Sequence, residues 1–228
     1  MKRVLIGIFA HPDDEAFGPS ATLIQEVRAG TELQLICVTD GTHGMNPDNV
    51  PDLGNTRRKE WEASGKAIGA KGLHWLGYED GTLCNSMYHD IAAKIERNAR
   101  DIAADPCELR FVTFAPNGLS GHLDHIAASS IAAYVFYRLK AAPPAGLKVK
   151  ELMYYCLSHK QMPVASTDFV YMPCGVDSGY INHRVDVAGL FDEKVAVMRL
   201  HHTQRQDAAT LLAFGKEFHS TDNFHILQ

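Results

Sequence analysis

An apolar run at residues 4–9, Val-Leu-Ile-Gly-Ile-Phe, runs directly into Ala10-His11-Pro12-Asp13-Asp14-Glu15. The run is too short for a helix core and suits a strand buried on both faces, the kind found in parallel sheets. After it, residues 16–28 carry a helical pattern that ends at Gly30. One histidine and three carboxylates therefore crowd the joint between a first strand and a first helix. In an open α/β sheet that joint lies at the carboxyl end of the strands, where ligands bind. Helix capping accounts for one aspartate, and a favourable helix dipole accounts for the glutamate. Neither accounts for a histidine and two adjacent aspartates packed against a buried strand. A metal ion with a neighbouring base does.

A second apolar run at residues 32–38 completes a βαβ unit in about 35 residues, which implies parallel pairing. No GxGxxG motif follows the first strand, so a dinucleotide site is not expected. Thr39-Asp40-Gly41 leaves the second strand, and residues 45–55 read as a loop near the site, rich in Asn, Pro, Asp and Gly. Thr56 is placed to cap a helix over 57–68. A short strand over 73–76, a turn over 77–81 carrying Asp80, and an amphipathic helix over 89–103 follow. Residues 110–115 form a strongly apolar strand, residues 126–139 a helix, and residues 149–157 the next strand. Beyond these, the pattern suggests strands at 169–172 and 183–187 and helices at 190–200 and 208–218, with a tail that is only partly ordered. The whole predicts a Rossmann-like three-layer α/β fold with a mainly parallel central sheet, in one domain over residues 1–228.

The 22 basic and 27 acidic residues form no basic stripe, so nucleic acid is not an expected partner. No apolar run reaches membrane-spanning length, and the residues after Lys2-Arg3 do not complete a signal peptide. The five cysteines are odd in number and lack a CxxC pair, which points to a reducing, cytoplasmic setting. No coiled-coil or repeat pattern is present, and homo-oligomerisation is left open.

His122-Leu123-Asp124-His125 repeats the placement of the first cluster: it follows a buried strand and a glycine-rich loop, and it opens a helix. Alone, it would read as a helix start with two surface histidines. If its strand neighbours the first one, the two loops share a rim and the two histidine–carboxylate clusters converge. Catalytic zinc sites take three ligands from His and Asp/Glu. A carboxylate that is not a ligand can take a proton from water. A histidine held protonated by a carboxylate can steady an oxyanion and later protonate an amine.

Ala10-His11-Pro12-Asp13-Asp14-Glu15, Thr39-Asp40-Gly41 and His122-x-Asp124-His125, in that order, resemble the PIG-L/LmbE-like family of zinc-dependent N-deacetylases. Weaker likenesses support it: Arg57-x-x-Glu60 with Ile68-Gly69, Leu76-Gly77-x-x-Asp80-Gly81, and the late Lys194 with His201-x-Thr203-Gln204. The resemblance implies one zinc ion, or another divalent metal, held by His11, Asp14 and His125. It implies Asp13 as the base that activates water, and His122 as the oxyanion stabiliser and proton donor, oriented by Asp124. Arg57, Asp40 and Asp80 are expected at the substrate, and Glu15 beside a metal ligand. Two positions depart from the family's pattern. Leu123 stands where relatives carry proline, and Ser120 where some carry a catalytic tyrosine. The expected reaction is removal of an acetyl group from an N-acetylglucosamine-containing or related amino sugar. The alternatives are a zinc amidase of the same fold acting on another small-molecule amide, an antibiotic among them, and a non-catalytic ligand-binding protein.

Overall fold

The computed structural model describes residues 1–102, 106–162 and 174–228. The strand expected at 169–172 lies outside them. Seven strands form one sheet in the order β3-β2-β1-β4-β5-β7-β6. They are β1 (Lys2–Phe9), β2 (Glu32–Thr39), β3 (Gly72–Tyr78), β4 (Cys107–Phe114), β5 (Leu147–Cys156), β6 (His183–Asp186) and β7 (Thr221–Leu227). β1 pairs in parallel with both β2 and β4, β2 with β3, and β4 with β5. The last two strands are antiparallel: β7 runs against β5, and β6 against β7.

Nine helices cover the sheet: α1 (Asp14–Phe17), α2 (Ser20–Arg28), α3 (Leu53–Ile68), α4 (Tyr88–Ile102), α5 (Gly118–Gly121), α6 (Leu123–Ala141), α7 (Phe191–Met198), α8 (Arg205–Leu212) and α9 (Gly215–Phe218), counted among the described residues. The strands alternate between two cores. From β1, Val4, Ile6 and Ile8 join Ile91, Ile95, Ile131 and Val135 of α4 and α6 on one face. Leu5 and Phe9 join Leu23, Trp61, Val197 and Phe224 on the other. Each strand in the middle of the sheet is covered on both sides, which is why it reads as a near-continuous apolar run.

Four expectations are corrected. The first helix is two, because Gly18-Pro19 interrupts it: proline lacks the N–H that a helix interior requires. The third helix starts at Leu53, with Asp52 rather than Thr56 as its cap; the Asp52 carboxylate accepts from Asn55 N at 3.1 Å. The tail expected to be partly ordered is β7, whose Phe224 is fully buried against Tyr155 of β5. The helix expected over 208–218 begins earlier and breaks at Gly215, which has φ 81°.

Strand order reverses between β1 and β4. The chain turns from β1 toward β2 on one side and from β4 toward β5 on the other, which opens a crevice between the two strand ends. The loops after β1 and β4 carry the two histidine–carboxylate clusters, so the topology joins at one point what the sequence separates by about a hundred residues.

Candidate metal centre

His11 leaves β1 and folds back, so that its backbone N–H donates to Asp14 Oδ2 at 2.9 Å. Asp13 N also returns to His11 O at 3.0 Å. This tight turn sends the two adjacent aspartates in different directions. The Asp14 carboxylate meets His125 Nε2 at 3.2 Å and lies 3.9 Å from His11 Nδ1. Asp13 Oδ2 instead accepts from the Arg57 guanidinium at 2.7 Å.

His125 arrives from the first turn of α6. Its Nδ1 donates to the Gly118 carbonyl at 2.9 Å, which leaves the Nε2 lone pair facing His11 Nδ1, 2.9 Å away. On the far side of the His11 ring, Nε2 meets Asp80 Oδ1 at 3.0 Å and Asp124 Oδ2 at 3.4 Å. Each imidazole thus gives one N–H to an oxygen and turns its other nitrogen toward the same point. Metal-ligating histidines are held in this way.

The separations fit a metal. Ligand bonds of about 2.0–2.1 Å in a tetrahedral array put ligand atoms about 3.3 Å apart, and the three observed separations, 2.9, 3.2 and 3.9 Å, bracket that value. The charges fit as well. Asp13, Asp14, Asp80 and Asp124 are all buried here, around the single guanidinium of Arg57. Burial opposes a charge on His11. Hydrogen bonds with Asp124 and Asp80 and the charge of Asp14 overcome it and push its pKa up to about 10. Burial likewise opposes ionisation of Asp14, but His125 and His11 hold its carboxyl below the usual range. The pocket draws positive charge to one spot, which a divalent cation would supply.

His122 closes the cluster, its ring 4.6 Å from that of His11 and edge-on to it. It caps α6: its Nδ1 accepts the backbone N–H of Asp124 at 3.1 Å, so the proton of a neutral ring sits on Nε2. Burial and the charges of His11 and His125 lower its pKa. With Nδ1 taken by a backbone N–H, Nε2 is the ring nitrogen left to donate. The Asp124 carboxylate does not orient the His122 ring. Its oxygens take the backbone N–H groups of Gly81 (2.7 Å) and Leu83 (3.1 Å), and it faces His11.

The residues expected at the substrate have internal partners. Arg57 is 3% exposed; beyond Asp13 it donates to Gly41 O at 2.7 Å and Pro12 O at 3.3 Å. The turn over it has room for glycine alone: a Cβ on Gly44 would stand 2.2 Å from Arg57 Nη1. Asp80 accepts the His43 N–H at 3.1 Å besides facing His11. Asp40 binds Thr42 N and Asp80 N, each at 3.1 Å, and staples that turn. Glu15, expected beside a metal ligand, points away from all three, toward Ser64 and His201. Ser120, at the position of the tyrosine, lies 3.4 Å from His125 Nδ1.

Sequence reasoning left out several parts of this centre. The Gly118 carbonyl and the Gly81 and Leu83 amides act through the backbone, which every residue has, so no side-chain pattern marks them. Ser64 lies between Arg57-x-x-Glu60 and Ile68-Gly69 on α3 but belongs to neither likeness. An open cavity of about 330 Å³ between α4 and α6 shares no residue with this centre; Glu96 in it pairs with Arg100 and Arg138.

Residues 6–136 match the family described as PIG-L: GlcNAc-PI de-N-acetylase. Over 95% of its length the chain is 29% identical to the 1D-myo-inositol 2-acetamido-2-deoxy-alpha-D-glucopyranoside deacetylase of Salinispora arenicola, covering 82% of that protein. Over 56% of its length it is 32% identical to a probable N-acetyl-alpha-D-glucosaminyl L-malate deacetylase 2 of Bacillus cereus, covering 58% of it. Its fold superposes on the N,N'-diacetylchitobiose deacetylase of Pyrococcus horikoshii with a TM-score of 0.73, covering 99% of this chain and 84% of that one at 19% identity. The matched segment takes in both histidine–carboxylate loops and more than half of the 228 residues, and the chain belongs to the PIG-L family of de-N-acetylases.

Proposed function

We propose that the protein is a zinc-dependent N-deacetylase that hydrolyses the acetamide of an N-acetylglucosamine joined to a small polar partner, releasing acetate and a free amine. The observation that carries this reading is the convergence of His11 Nδ1, His125 Nε2 and the Asp14 carboxylate, with the other nitrogen of each imidazole turned to an oxygen. These three residues would hold the metal. Zinc, when bound, lowers the pKa of a water toward neutrality and polarises an acyl oxygen.

The protein's own residues supply the rest. Asp13 is held by Arg57 through one oxygen, and its other oxygen has no hydrogen-bond partner among the described residues. That oxygen takes the proton of the attacking water as the new C–O bond forms. His122 carries its proton on Nε2 and donates it as a hydrogen bond to the carbonyl oxygen, which gains charge as the carbon becomes tetrahedral. Collapse breaks the C–N bond, and the proton collected by Asp13 goes to the departing amine. The relatives named for inositol and malate conjugates of N-acetylglucosamine support a sugar amide as substrate.

Metal analysis and a substrate panel test the reading together. Purified protein should carry about one zinc per chain. Incubated with N-acetylglucosamine conjugates of neutral and acidic partners, it should release a free amine from at least one. A protein that binds no divalent metal, or that releases amine only from non-sugar amides, overturns it.

A further inference from the structure

Glu15 is a buried carboxylate that the mechanism does not use. Its side chain is 0% exposed, and so are those of Ser64 and His201. One of its oxygens accepts both the Ser64 hydroxyl, at 2.5 Å, and His201 Nε2, at 3.0 Å. The Phe17 ring meets His201 edge-on, with centroids 5.9 Å apart. Glu15 Oε2, His201 Nδ1 and Arg57 Nε are buried without a hydrogen-bond partner among the described residues. A group buried with an unmet atom calls for an explanation beyond filling space.

Helix α3 suggests one. Arg57 and Ser64 stand seven residues apart, two helical turns, and so share one face. From that face Arg57 grips Asp13 and Ser64 grips Glu15. The residue between them, Asp14, is left to turn the opposite way, toward His11 and His125. His201, from the loop after α7, closes the grip on Glu15 from behind. Glu15 touches no metal ligand, so its effect on the centre runs through the direction of this turn.

We propose that Glu15, Ser64 and His201 form a rear anchor of positioning residues that sets the opposed directions of Asp13 and Asp14. The anchor rests on the proposed roles of those two aspartates, but its structural effect can be read without any substrate. In His201→Leu, zinc affinity measured by chelator competition should weaken by about tenfold or more, the scale seen when groups behind a metal ligand are lost. In crystals of that variant the Asp13–Arg57 contact should be broken. With substrate, kcat should fall about tenfold or more while KM stays within about twofold, because a misplaced base affects the reacting centre and not the sugar's fit. His201→Gln, which keeps a donor for Glu15, should restore zinc affinity and kcat to within about threefold of the parent. If His201→Leu does not fold, Ser64→Ala, a smaller change at the same oxygen, should show the same pattern at a reduced size. Unchanged zinc affinity and an intact Asp13–Arg57 contact in the folded variant overturn the anchor. So does a His201→Gln that behaves no better than His201→Leu. A parent protein that binds zinc but hydrolyses no amide overturns the proposed function instead, and the affinity and crystal readouts still decide on the anchor.

Discussion

The loops that follow β1 and β4 both deliver histidines to the candidate metal centre, yet they are built differently. Residues 10–15 are buried throughout, and the turn is tied by its own backbone and by Arg57 and Ser64 from α3. The loop before α6 is longer and half-buried at Leu119, Ser120 and His122, as is His125 in the first turn of the helix. It bends through three positive φ values, at Gly118 (71°), Leu119 (62°) and Gly121 (78°). Leu119, with ψ −57°, holds a rare and strained γ-turn geometry. The first loop is a fixed wall that presents His11, Asp13 and Asp14. The second brings His125 and His122 up to that wall through a bend held partly by strain. Strain of this kind persists only where the surroundings enforce it, and it gathers at functional sites.

The sharpest way to break the comparison is to remove its shared product. His125→Ala should lose the metal and with it nearly all activity; metal content and released amine would report this. If the variant keeps a full complement of zinc, the β1 loop holds the metal alone and the convergence has no chemical meaning. Next, Asp13→Asn and His122→Gln should both keep the metal. Loss of the base should lower kcat by about 10²–10⁴, and loss of the oxyanion donor by about 10²–10³. Equal and small effects would mean that neither loop supplies the groups assigned to it.

Smaller still is the expected effect on the bend. Leu119→Gly removes the strain of a positive φ, worth about 1–3 kcal/mol, while losing the packing of a half-buried side chain. Leu119→Ala loses the packing and keeps the strain. Urea unfolding should therefore rank the glycine variant as the more stable of the two; the reverse order would mean that the bend is unstrained. The smallest effect belongs to the scaffold. Arg110 of β4 binds both oxygens of Glu26 on α2, one of them at 2.9 Å. Burial opposes ionisation of Glu26, but the Arg110 hydrogen bonds and charge hold its carboxyl below the usual range. Its folded value is below its unfolded one, so the stabilisation is full at neutral pH. It begins to fade below the ordinary glutamate value of about 4.3 and is lost once pH falls through the folded value. Half-buried and partly screened, the pair should be worth no more than about 1 kcal/mol. The gap in urea stability between the parent and Arg110→Ala should be present at pH 7 and shrink steadily as pH falls below about 4.3.

The parallel core could be read from the chain because each central strand is apolar on both faces, and β1, β2, β4 and β5 all fall where such runs occur. β7 could not. Its segment mixes Asp222, Asn223 and His225 with apolar residues, and what makes it a strand is the exposed flank of β5, a partner about seventy residues away. The helix start at Leu53 was hidden for a related reason: Asp52 and Gly54 suit a loop as well as a cap. In the site, His11, Asp13, Asp14, His122, Asp124 and His125 of the two motifs lie together, because short spacing on a strand–helix joint leaves little freedom, while Glu15 turns away from them. Their partners were less legible. Arg57 has the character of a substrate-binding residue, and only the packing of Gly41 and Gly44 over it shows that its guanidinium is sealed in. His201 and Glu15 stand 186 residues apart, and nothing in either stretch announces the other.

The antiparallel end of the sheet bears on how the protein behaves at high concentration. β6 is only four residues long, and His183, Arg184 and Asp186 on it are exposed. An edge that short and that charged makes a poor template for a strand from another molecule. Adding a copy there would set charged side chains against one another for the sake of a few backbone hydrogen bonds. Among the described residues the sheet stops at β6, and so short and charged a border disfavours growth into stacked or fibrous aggregates.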